Sequence, residues 1–153
     1  ALPENHHLFR RVSRNPALAS AALYSHPDSM PLEALRARAW ELVQPYYLER
    51  LDGLVGAFEA ARARHLASGD LADIGNAVVA GRVATLLIDA DRVVPGGFDA
   101  QTGAVRFDDL AHPGIDDLLD DLAEAVLRQG GEVVVVPSER MPVQSGAAAT
   151  YRY

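Results

Sequence analysis

The chain has no cysteine and no lysine, a single tryptophan, and no unbroken apolar run longer than four residues. Without cysteine it cannot be a disulfide scaffold, a thiolate zinc site or a thiol enzyme. A bilayer-spanning helix needs about 20 apolar residues, and Val133–Val136 is as long as any such run here. No signal peptide or basic targeting segment is visible at the start, so the expected compartment is the cytoplasm and no membrane partner is expected. All fourteen basic residues are arginine, a bias that genome composition is able to produce and into which no function is read. The motifs GxSxG, HExxH and Ser/Lys pairs are missing, and so is a phosphate loop.

What is present is ordinary globular material: 153 residues, 49% apolar and 23% charged, enough for one domain and a piece of another. Charge is uneven. Residues 1–69 carry eight arginines against seven acids, and residues 70–153 six against fourteen, which gives +1 and −8. The acidic half repels phosphate at long range, so nucleic acid is not its expected partner.

Residues 1–29 read as a remnant strand (Leu8–Val12) and linker of a preceding domain; residues 30–153 read as the domain proper. Leu32, Leu35, Ala39, Leu42 and Val43 keep helical spacing, Pro45 predicts a kink, and Tyr47 to His65 continues the stripe. Gly69 is the expected left-handed stop. Asp70 is placed to cap a short helix to about Ala80.

Beyond it the pattern alternates: strands at Arg82–Asp89, Arg92–Phe98 and Ala104–Phe107, and a helix from about Ile115 to Gln129 introduced by Pro113-Gly114. An all-valine strand follows at Glu132–Val136, expected to be covered on both faces, and Ala147–Tyr153 forms a last strand. This predicts an α/β fold, a three-layer α/β/α sandwich with a mixed sheet preceded by a long kinked helix.

Asp116, Asp117, Asp120, Asp121 and Glu124 open one helix, where acids complement the dipole and also suit a cationic partner. Asp89 and Asp91 bracket a turn in which aspartate bonds its own backbone. With the acidic helix start they offer an alternative reading, a divalent-metal hydrolase. Arg10, Arg11 and Arg14 offer another, RNA binding. Trp40, Tyr46 and Tyr47 beside Arg36, Arg38 and Arg50 are read as core aromatics. The five histidines lack ligand spacing, and Ser138 has no general base in view. No catalytic residue, metal or cofactor is expected.

The run GRVATLLIDADRVVPGGFDAQTGAV (81–105), then DDLLDDLAEAVLRQGGEVVVVPSERMP (116–142) and AAATYRY (147–153), resembles the C-terminal domain of the bacterial release factor-like family. That family is related to archaeal and eukaryotic class-1 release factors and Pelota. HHLFRRVSRNP (6–16) and ARAWELVQPYYLER (37–50) resemble its interdomain segment. The resemblance implies a translation-associated role and a protein partner, a translational GTPase or the ribosome. It does not carry over peptidyl-tRNA hydrolysis, because no Gly-Gly-Gln exists: Phe98 and Glu132 follow the two glycine pairs.

Overall fold

The computed structural model describes residues 3–109 and 116–153. His112, Pro113, Gly114 and Ile115 lie outside the described residues. The chain divides into two compact units, residues 1–50 and 51–153.

In the first unit the expected strand at 8–12 is part of a helix, α1, Pro3–Val12. Glu4 sits in its first turn and Arg10 and Arg11 in its last, the charge order that the helix dipole favours. A strand there would have needed a neighbour to pair with; the helix satisfies its own backbone. The next helix, α2, runs Leu32–Arg62 with Pro45 inside it. The helix assignment continues through the proline, which leaves the Glu41 carbonyl without its i+4 amide donor. The aromatics do not form a core. No described residue before Leu51 is buried, and Trp40 and Tyr46 are each about half exposed.

The second unit holds α3, Leu71–Val79, and α4, Leu118–Arg128. A mixed four-stranded sheet is made of β1 (Ala67–Ser68), β2 (Val83–Asp89), β6 (Glu132–Val136) and β7 (Ala147–Tyr151), ordered β1-β7-β2-β6. β2 runs parallel to β6 and antiparallel to β7. A small antiparallel sheet, β4-β3-β5, uses β3 (Pro95–Phe98), β4 (Val105–Phe107) and β5 (Asp116–Asp117). The expected helix start at 115 moves to Leu118, because Asp116 and Asp117 pair with Gly96 and Pro95 first.

Alternation along the strands separates two apolar layers. Leu86, Ile88, Ala147 and Ala149 face α3 and α4, meeting Ile74, Val78, Leu118, Leu122 and Val126 in one cluster. A register shift between Val83 and Thr85 keeps Val83 in that cluster. Leu87, Ala148 and Val136 alternate with those residues and point to the other face. Leu51, Phe58 and Ala61, all on α2, supply the remaining buried hydrophobic residues outside the α3 and α4 cluster, which is the third layer. The valine strand departs from expectation: it lies at the sheet edge, and Val135 is 56% exposed.

Helix ends explain the connections. Asp70 accepts from the amides of Ala72 (2.9 Å) and Asp73 (3.1 Å), as its capping position predicts. The left-handed stop of α2 is His65, φ 58°, and not Gly69. Leu66 N–H reaches the Ala61 carbonyl and His65 N–H the Arg62 carbonyl, the paired closure of a Schellman motif. Gly81 and Gly130 close α3 and α4 in the same way.

Candidate functional site

The five acids of the α4 region divide by what they touch. Asp117 caps the helix, its Oδ1 accepting from the Leu119 amide (3.1 Å) and from the Val94 amide (3.0 Å). Asp121 Oδ2 accepts from the Phe98 amide at 3.3 Å. These two carboxylates therefore fasten β3 to the start of α4. The Asp116 side chain is exposed and, among the described residues, accepts from the adjacent Asp117 amide at 2.9 Å. Glu124 is exposed and pairs with Arg128, one turn on. Asp120 is exposed and has no partner among the described residues. The face presented to solvent thus consists of Asp116, Asp120 and Glu124, three of the five.

That division makes a test. Asp117→Ala removes two bonds to amides at once, one of them the helix cap, and should lower stability by about 2 kcal/mol. Asp120→Ala at the exposed position should change it by less than about 0.5 kcal/mol. Urea unfolding of the two variants measures both.

Asp89 and Asp91 stand elsewhere, at the end of β2. Asp89 is buried, 9% exposed, and its Oδ1 accepts from the Asp91 amide at 3.0 Å, the turn chemistry the sequence implied. It also accepts from the Ser138 hydroxyl, whose oxygen lies 3.2 Å from Asp91 Oδ2. No base stands near Ser138 in sequence; the fold brings β6 beside β2 and places a carboxylate on it. A hydroxyl carries one hydrogen and serves one carboxylate at a time, so Ser138 ties one or the other aspartate to the segment after β6, Asp89 by the shorter bond. Arg140 anchors that same segment to Asp52 of α2 through an ion pair. Sequence spacing could not show either bond, since the partners lie 49 and 88 residues apart.

Among the described residues no three His, Asp or Glu side chains gather closely enough to hold a metal ion. His26 Nδ1 accepts from the Asp28 amide at 3.2 Å, and the His6 ring packs at 5.2 Å from Tyr24. Arg10 donates to the carbonyls of Ala19 and Ser20, so of the three N-terminal arginines it is already engaged. Arg36 pairs with Glu33, and Trp40 stacks obliquely on Tyr47 at 5.6 Å.

Two groups have displaced proton affinities. The amides of Thr102 and then Gln101 hold the exposed Asp99 carboxyl below its ordinary value. Burial pushes the Tyr151 hydroxyl up, against a smaller opposing effect of Ser68. Arg82 covers the Tyr151 ring at 5.2 Å, and the Ser68 hydroxyl donates to Asp73 at 3.0 Å. Both fit their local turn and strand packing.

No curated protein matches the chain. Among solved structures, the C-terminal domain of a peptide chain release factor from Methanosarcina mazei shares the fold. Its TM-score is 0.63 at 19% identity, over 86% of this chain and 98% of that one. The family model of bacterial archaeo-eukaryotic release factor family 3 matches residues 1–82, which is more than half of the sequence. The chain belongs to that release factor family.

Proposed function

We propose that this chain is a non-catalytic interaction domain of a release factor-like, translation-associated protein. It docks a protein partner through the face formed by Asp116, Asp120 and Glu124. The observation that carries this reading is the division within the acidic cluster: two carboxylates are used up in holding β3, and three are left to solvent. Family membership supplies the translation setting. The acidic sign favours a basic protein surface over nucleic acid. A translational GTPase is the partner class to try first, with the ribosome as the second.

The test uses the full chain and a triple variant, Asp116→Asn, Asp120→Asn and Glu124→Gln, with Asp117 and Asp121 left intact. Binding to purified translational GTPases and to ribosomes is followed at low and physiological salt. Exposed charges act mainly on association and its salt dependence. The variant should bind about tenfold more weakly at low salt and show a flatter salt profile. Equal affinity and an equal salt slope would remove this face from the proposal.

A further inference from the structure

The sheet edges of the second unit are treated differently from one another. β1, at one end of the main sheet, is two residues long. In the small sheet, β4 is three residues with Arg106 at its centre, and β5 is the pair Asp116–Asp117. Short length and charge are the usual protections of an unpaired strand against joining another chain. β6 has neither. It offers five residues, Glu132-Val133-Val134-Val135-Val136, with no proline and an unshifted register against β2. Among the described residues, the backbone of Val133 to Val136 bonds only toward β2 and makes no hydrogen bond on its outer side. Val135 is 56% exposed, and Leu127, in the last turn of the helix that leads into this strand, is 58% exposed.

We propose that β6 pairs antiparallel with β6 of a second copy about a two-fold axis at Val134, joining two four-stranded sheets into one. The strand is its own best complement. In this register Val133 faces Val135 of the second copy, so exposed valine meets valine on the α4 side, a cross-strand pair that stabilises sheets. Charge selects the direction. Glu132 lies opposite Val136 of the other copy, and the two glutamates stand about 13 Å apart along the strands, beyond the screening length at physiological salt. Parallel pairing would set them about 5 Å apart. A two-fold pairing also uses both edges at once and closes the assembly at two copies.

Sedimentation velocity of the full chain, from low micromolar to several hundred micromolar, reads the outcome. The wild type should shift from one chain to two as concentration rises. Val135→Lys, a change at an exposed position, enters the dimer twice and should weaken it about a hundredfold. A second variant reports register. Val134→Cys adds the only cysteine in the chain, and across the two-fold axis its Cα atoms would lie within about 5.5 Å, inside disulfide reach. It should cross-link quantitatively on mild oxidation, whereas Val93→Cys, at a position more exposed than Val134 in the wild type and away from β6, should not. A single-chain species at every concentration overturns the proposal. So does a dimer that Val135→Lys leaves intact, or one that cross-links no faster at Val134→Cys than at Val93→Cys.

Discussion

Phe58→Ala should cost the protein about 3–5 kcal/mol, and circular dichroism should show the melting midpoint falling by about 15 °C or more. Among the described residues, Phe58 is the largest side chain with no exposure at all. It belongs to the α2 layer, where only Leu51 and Ala61 of the same helix are buried with it. A domain of this size is stable by about 5–15 kcal/mol in total, so the loss takes a large share of it. A midpoint within about 3 °C of the wild type would mean that the third layer contributes little, and that the α3 and α4 side carries the fold alone.

The second large effect concerns glycines that look alike in sequence. Gly53, Gly56 and Gly75 all lie inside helices. A Cβ at Gly53 or Gly56 would meet nothing within 4 Å, whereas one at Gly75 would stand 2.5 Å from the Gly103 carbonyl oxygen and 3.0 Å from Val105 Cγ2. The obstacle is backbone. Gly103 has φ 78° and would itself press on Asn76 Cα at 3.0 Å if it carried a side chain, so the hairpin tip cannot simply retreat. Gly75→Ala should therefore lower stability by about 2 kcal/mol and Gly75→Val by more, despite the gain in helix propensity. Gly53→Ala and Gly56→Ala should each raise it by up to about 1 kcal/mol. Chemical denaturation of the four variants checks the signs; stabilisation by Gly75→Ala would show that α3 and the hairpin are not in backbone contact.

These glycines also show what the sequence reveals and what it withholds. Local chemistry was legible. Asp70 caps as its position implies, the Asp89 side chain closes its own turn, Gly130 stops a helix, and four successive valines form a strand. The family resemblance was legible as well, through the order of strands and turns. Long-range bonds were not. Nothing near Asp117 or Asp121 in sequence announces Val94 or Phe98, 23 residues earlier, so five acids looked like one surface when two are internal fasteners. Ser138 looked idle for the same reason. At α1, His6-His7-Leu8-Phe9 fits either period over so short a span, and the charges at the two ends side with the helix. His65 went unread as a helix stop because glycine is the usual signal, and Gly69 stood nearby to attract it.

The link between α2 and α3 shows what that stop achieves. Arg62 and Arg64 are exposed and carry the side chain that trypsin-like proteases recognise. Cleavage also requires several residues drawn out straight in the protease cleft. Here Leu66 and His65 are bonded back onto the helix, Ala67 and Ser68 are paired with β7, and Asp70 is holding the next helix. Digestion at this seam must wait for the fold to open, and its rate follows the opened population and not the exposure of the arginines.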